Sequence, residues 1–320
     1  MKGIHQITVS NSSVKYEFSL RRNITVIRGD SATGKTTLVE LISEFYESGT
    51  SSGVELICDK TCRVVGGRDW QILLSTIKDS IVFVDEDNDF LPTKEFAKAV
   101  KESDNYYCLV TREGLPNLPY SVEEIYGIRT SGKYAGLRQV YNEFYHIYGD
   151  HMPNEVICPE RVIVEDSNAG FEFFNGISRG KEYDVISAES KTNIFRIAED
   201  NSDKALVVIA DGAAFGPEID RMIKLASQRK NITLFLPESF EWLLLSSDII
   251  QDREIRDILE SPPDYIESSD YFSWERFFTK ILVAKTMDTY LKYAKSKLNP
   301  AYLQENLARK IVNKIKDIEL

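Results

Sequence analysis

The stretch Gly29-Asp30-Ser31-Ala32-Thr33-Gly34-Lys35-Thr36 satisfies the pattern G-x-x-x-x-G-K-[ST] at every fixed position. It constrains the fold because its chemistry needs a particular backbone. Glycines at both ends let the chain curl tightly, so that successive N–H groups point inward at phosphate oxygens. Lys35 adds a point charge, and the Thr36 hydroxyl is a ligand for Mg²⁺. The flanks agree. Ile24–Arg28 is β-branched and reads as a buried strand. Leu38, Leu41, Ile42 and Phe45 fall at helical spacing. Strand, loop and helix in that order place the phosphates at a helix N-terminus, where the dipole favours anions. The nucleotide-binding candidates are therefore Gly29, Asp30, Ser31, Ala32, Thr33, Gly34, Lys35, Thr36 and Thr37.

A second stretch gains meaning from the first. Ser80-Ile81-Val82-Phe83-Val84-Asp85-Glu86 is an apolar strand ending in two acids. Delivered beside the phosphate loop, Asp85 holds Mg²⁺ and Glu86 polarises the attacking water. On its own the same pattern is an ordinary strand ending in a solvated acidic turn. Tyr106–Val110 is another strand, and its sequel Thr111-Arg112 is placed either to sense a γ-phosphate or simply to face solvent. Asp85-x-Asp87-x-Asp89 imitates the start of a calcium loop, but Phe90 and Phe96 stand where that loop needs Gly and Glu.

Around these stretches the chain reads as two α/β regions. Ile4–Val9 and Val14–Leu20 are strands joined at Asn11-Ser12-Ser13. Val54–Cys58 and Arg63–Val65 are short strands, Trp70–Lys78 and Thr93–Glu102 are helices, and Ile125–Gly136 and Leu137–Tyr148 alternate like strands. Residues 148–154 combine Gly, Pro and polar side chains, which suits a linker between domains at 1–148 and 155–320. Beyond it, strands at Arg161–Glu165, Val185–Ser187, Ala205–Asp211 and Ile232–Leu236 alternate with helices, the pattern of a small parallel sheet. Trp274 to Ala294 and Leu303 to Ile318 carry apolar stripes that read as a helical tail.

Charge narrows the partners. The net charge is −11, with 17 basic against 21 acidic residues in 1–150 and 22 against 29 in 151–320. Neither half carries a global footprint for nucleic acid, although a local basic groove stays open. No apolar run approaches a membrane span, and the N-terminus lacks a signal-like core. Cys58, Cys62, Cys108 and Cys158 make no disulfide framework in a chain of this length. Cys58-x-x-x-Cys62 is half of a zinc site with no second half. The chain reads as reduced and cytoplasmic.

With these residues in view, the first half resembles the P-loop ATPases of the ABC/SMC/OLD group, through Gly29–Thr36 and Asp85-Glu86. No LSGGQ-type signature follows. The second half resembles a Toprim domain. Val162-Ile163-Val164-Glu165 matches its strand ending in Glu, and Val207–Gly216 matches its D-x-D-x-x-G strand end, with Ala213 replacing the second aspartate. The order, P-loop ATPase then Toprim, is similar to that of OLD-family proteins. The resemblance implies ATP and Mg²⁺ as cofactors, with Lys35 and Glu86 as catalytic residues and Thr36, Asp85, Glu165 and Asp211 as metal ligands; Asp166 and Glu241 are nearby candidates. It implies an ATPase that controls a degenerate Toprim-like effector, in anti-phage defence or a mobile element. An ATP-regulated, metal-dependent nuclease and a non-hydrolytic adaptor for a protein partner are the alternatives. A nucleic-acid or protein partner and a homo-oligomer are both left open.

Overall fold

The computed structural model describes residues 1–29, 33–131, 139–148 and 156–320. The linker read at 148–154 lies almost wholly outside them. The chain forms two compact units, 1–149 with 261–272, and 150–260 with 273–320. Assigning 261–272 to the first unit departs from a simple division of the chain in two. Within that unit, Gly3 N donates to Pro263 O (2.8 Å), Ser268 N to Met1 O (2.9 Å) and the Asn23 amide to Phe272 O (3.1 Å).

The first unit contains β1 (His5–Ser10), β2 (Val14–Leu20), β3 (Ile24–Ile27), α1 (Lys35–Ser48), β4 (Glu55–Ile57), β5 (Thr61–Val64), α2 (Trp70–Thr76), β6 (Ser80–Val84), α3 (Lys94–Lys101), β7 (Tyr106–Val110), β8 (Ile125–Thr130) and β9 (Val140–His146). They form one mixed sheet in the order β4-β1-β2-β9-β8-β3-β7-β6-β5. Strands β3, β7 and β6 run parallel, and every residue in them is buried. Burial on both faces is why they read as unbroken apolar runs and not as alternating ones. The β1–β2 pair is antiparallel, and its turn is fixed by Asn11, whose side-chain oxygen accepts from Ser13 N and Val14 N at 2.8 and 2.9 Å.

The sheet is strongly curved. Phe18 on β2 meets Phe83 on β6 edge to face, 6.4 Å between centroids, although four strands lie between theirs. The concave side holds Leu38, Leu41 and Ile42 of α1 among residues from β1, β2, β6 and β7. The α1 helix is thus the centre of this unit's core.

One buried charge cluster ties β3 to β8. Glu124 is fully buried; it accepts from Arg21 Nε (2.8 Å) and Thr25 Oγ1 (3.2 Å), with Arg22 Nε at 3.4 Å. Burial raises the Glu124 carboxyl above its ordinary value, and the Arg22 and Arg21 charges only partly oppose this. The folded state therefore takes up this proton more readily than the unfolded chain. The stability it contributes is full below the ordinary carboxylate range and is lost as pH rises through the raised value. The stability of the wild type relative to Glu124→Gln, which has no carboxyl to titrate, is accordingly expected to fall as pH rises above the ordinary carboxylate range, measured by denaturant titration of both proteins at each pH.

The second unit contains β10 (Arg161–Val164), α4 (Ala169–Ile177), β11 (Asp184–Ser187), α5 (Lys191–Asp200), β12 (Leu206–Ile209), α6 (Ile219–Gln228), β13 (Ile232–Phe235), α7 (Phe240–Ser246), α8 (Arg253–Glu260), α9 (Trp274–Thr286) and α10 (Glu305–Val312). All four strands are parallel, in the order β11-β10-β12-β13. The chain therefore reverses its direction of travel across the sheet between β10 and β12. The tail is less helical than its apolar stripe implies. α9 stops at Thr286, whose hydroxyl donates to Leu282 O (2.7 Å) and accepts from Tyr293 N (2.9 Å), turning the chain back on itself. Residues 287–299 are irregular, with Tyr290 exposed and Leu291 buried. Among the described residues no helix is long and apolar enough to cross a membrane.

Candidate functional site

Three strand ends meet at one edge of the first unit. Register places Ile27 of β3 opposite Val110 of β7, and Leu109 of β7 opposite Val84 of β6. The residues that follow are Arg28 and Gly29, Thr111 and Arg112, and Asp85 and Glu86. Because β7 lies between β3 and β6, the sequence-separated motifs become neighbours across one intervening strand.

The loop after β3 is held by backbone conformation. Gly29 has φ +141° and Gly34 φ +91°, values that favour glycine. At Gly34 space enforces the same choice, since a Cβ there would come within 2.7 Å of the Tyr16 hydroxyl. That hydroxyl donates to Gly34 O at 2.8 Å, so β2 braces the turn into α1. Lys35 is buried; its Nζ donates to Gly29 O (2.8 Å) and Thr33 Oγ1 (3.3 Å). Thr36 and Thr37 are exposed on the first turn of α1. Asp30, Ser31 and Ala32 lie outside the described residues.

On the facing strands, Asp85 and Glu86 are half-buried. Asp85 Oδ1 accepts from Glu86 N at 2.7 Å, and the Asn88 amide donates to Asp85 O at 2.9 Å. The Arg112 guanidinium forks onto Glu86, with Nε to Oε2 at 3.0 Å and Nη2 to Oε1 at 2.5 Å. This pair holds the Glu86 carboxyl below its usual range against the opposing effect of burial, and the Lys35 charge adds to it. Glu86 is thus held as the anion of an ion pair with Arg112. Glu86, Thr111 and Arg112 line a cavity of about 430 Å³ together with Asp87, Asn88 and Asp89. The bracing role of Tyr16 had no signal in the sequence, where it is one of several aromatics on an alternating strand.

The second unit gathers its acids at a comparable edge. Glu165 follows β10, Asp211 lies two residues past β12, and Asp211 N donates to Glu165 Oε2 at 2.9 Å. Open α/β sheets form their crevice where the strand order reverses, and these residues flank that point. Gly212 is required by close approach, because a Cβ there would lie 2.5 Å from Leu236 O. A cavity of about 140 Å³ opens here, lined by Glu165, Asp166, Asp211, Glu241, Glu275 and Lys295 among others. Crowding by protein atoms raises the Asp211 carboxyl well above its usual range, and Glu275, Glu165 and Glu241 add to the rise. Burial likewise raises Glu165 and Asp166. Glu275 and Lys295 were not singled out by the sequence, since both come from the tail, more than sixty residues from Asp211. Among the described residues no three His, Cys, Asp or Glu side chains form a group able to hold a metal ion.

No protein-family model matches this sequence, and no curated protein matches it.

The Tyr16–Gly34 contact makes a direct prediction for the loop. Tyr16→Phe removes one hydrogen bond and is expected to cost about 0.5–1.5 kcal/mol. Gly34→Ala adds strain on a left-handed backbone and is expected to cost about 1–3 kcal/mol. Equilibrium denaturation of both variants checks the order.

Proposed function

We propose that the first unit is a P-loop NTPase that binds ATP and hydrolyses it with Mg²⁺, and that the second unit is the Toprim-like effector it controls. The observation that supports this reading is the single sheet edge shared by the Gly29–Lys35 loop, the Asp85-Glu86 strand end and Thr111-Arg112. The residues present suit the cofactors. Positive-φ glycines and the buried Lys35 suit a polyphosphate, while the exposed Thr36 hydroxyl and Asp85 are the residues that would hold Mg²⁺. When bound, Mg²⁺ supplies charge neutralisation at the β- and γ-phosphates.

The chain's own residues do the rest. Backbone N–H groups of the loop and Lys35 bind and orient the phosphates. Glu86 orients the attacking water and accepts its proton. Arg112 keeps that carboxylate ionised and engaged, so turnover requires it to leave Glu86, and a γ-phosphate is the anion that competes for its fork. In the second unit, Ala213 in place of a second aspartate supports a binding role toward a nucleic-acid or protein partner over strand cleavage.

Glu86→Gln is expected to keep ATP binding and lower turnover by about 10²–10⁴-fold, the usual contribution of a general base. Lys35→Ala is expected to lose both. Phosphate release and nucleotide binding, measured side by side on the full chain, separate the two; equal hydrolysis by wild type and Lys35→Ala would sink the proposal.

A further inference from the structure

We propose that the Lys295 ammonium is the resident cation of the acid cavity in the second unit, occupying the electrostatic role that a divalent metal would otherwise take, so that the cavity is closed to Mg²⁺ and Mn²⁺. The inference concerns the second unit alone and does not rest on the nucleotide reading.

The fit of the acids to a metal is poor for reasons visible in their partners. A divalent ion of this kind needs several oxygens turned toward one point. Here four of the lining carboxylates are each drawn toward a different internal donor. Glu165 Oε2 accepts from Asp211 N at 2.9 Å. Asp166 Oδ1 accepts from Phe171 N at 2.8 Å, at the start of α4. Glu241 Oε1 accepts from the Tyr293 hydroxyl at 2.8 Å. Glu275 Oε1 is paired with Lys295 Nζ. Each of these acids commits one oxygen to its own donor, so the acids do not converge while Lys295 is in place, in agreement with the lack of a converging trio among the described residues.

Carboxylates crowded around one small cavity still require a counter-charge. Lys295 is the single cation among the described lining residues. Lys191 stands close enough to act on Glu165, but its Nζ donates to Ala214 O at 2.7 Å. Burial works against the Lys295 charge, yet Glu241 and Glu275 outweigh it and push its pKa up to about 12. Its electrostatic partners therefore extend beyond its one ion pair.

Lys295 is also placed there by its backbone. It belongs to the irregular segment after α9, which is tied down at successive points. Tyr293 N donates to Thr286 Oγ1 (2.9 Å), Ala169 N to Lys295 O (3.2 Å) and Leu298 N to Glu172 Oε2 (2.6 Å). The Tyr302 hydroxyl donates to Leu291 O at 2.7 Å. The second and third of these bonds come from the start of α4, the helix that follows β10 directly. The strap and the acid edge are thus built on the same element, and Lys295 is brought into the cavity lining by a fixed backbone.

The test is Mn²⁺ titration of the full chain without nucleotide, read by electron paramagnetic resonance of the free ion. The wild type and Glu165→Gln are expected to give the same isotherm, because the cavity takes no ion in either. Lys295→Met is expected to gain one Mn²⁺ site at least about tenfold tighter than any in the wild type, by removal of the competing charge, and to lose it when Glu165→Gln is added. Circular dichroism establishes that each variant is folded. Wild-type binding of Mn²⁺ that disappears in Glu165→Gln would overturn the proposal, as would a folded Lys295→Met that binds no more than wild type. If Lys295→Met fails to fold, the wild-type and Glu165→Gln comparison still decides, since it needs no change at Lys295.

Discussion

The structure of the first unit depends on burying β3, β7 and β6 on both faces. Once those strands are covered above and below, charged side chains are kept off them and stand just beyond their ends, while Thr25 is admitted on β3 with Glu124 as its partner. Parallel pairing then brings all three ends to one edge, and the α1 helix packed in the curve of the sheet aims its N-terminus there. The Gly29–Lys35 stretch, the acid pair and Thr111-Arg112 share an edge because the strand register brings the ends of β3, β7 and β6 together. Glycine at position 34 serves both requirements: it admits the turn into α1 and leaves room for the Tyr16 hydroxyl that braces it.

The two units use the same device to different electrostatic ends. In the first, Glu86 is held ionised by Arg112 and Lys35, beside an open cavity. In the second, Asp211 and Glu165 are crowded by protein atoms and by each other, their carboxyls are raised, and the neighbouring cation is a lysine from the tail. A strand ending in acids is therefore not one kind of site. What surrounds the acids decides whether they present charge to a ligand or are neutralised within the fold.

Much of this was legible in the sequence where the signal is local. The Gly29–Thr36 pattern specified a strand, a turn and a helix, and the apolar runs at 80–84, 106–110 and 206–209 all form buried strands. The parallel character of the small sheet followed from its alternation of elements. What escaped was set by tertiary contact. The return of 261–272 to the first unit has no compositional mark. The end of α9 at Thr286 depends on a side-chain hydroxyl meeting Tyr293 N, which an apolar stripe does not reveal. The Arg112–Glu86 fork joins residues 26 apart in sequence, and Lys295 reaches the acid cavity from a tail that reads as helix.

The central claim is that the edge built by β3, β7 and β6 binds ATP through Lys35. Calorimetric titration of ATP with Mg²⁺ into the full chain tests it most directly. The account predicts saturable binding at one site per chain that disappears in Lys35→Ala while that variant keeps the wild-type circular dichroism. Absence of binding to the wild type, or binding unchanged in folded Lys35→Ala, would contradict it.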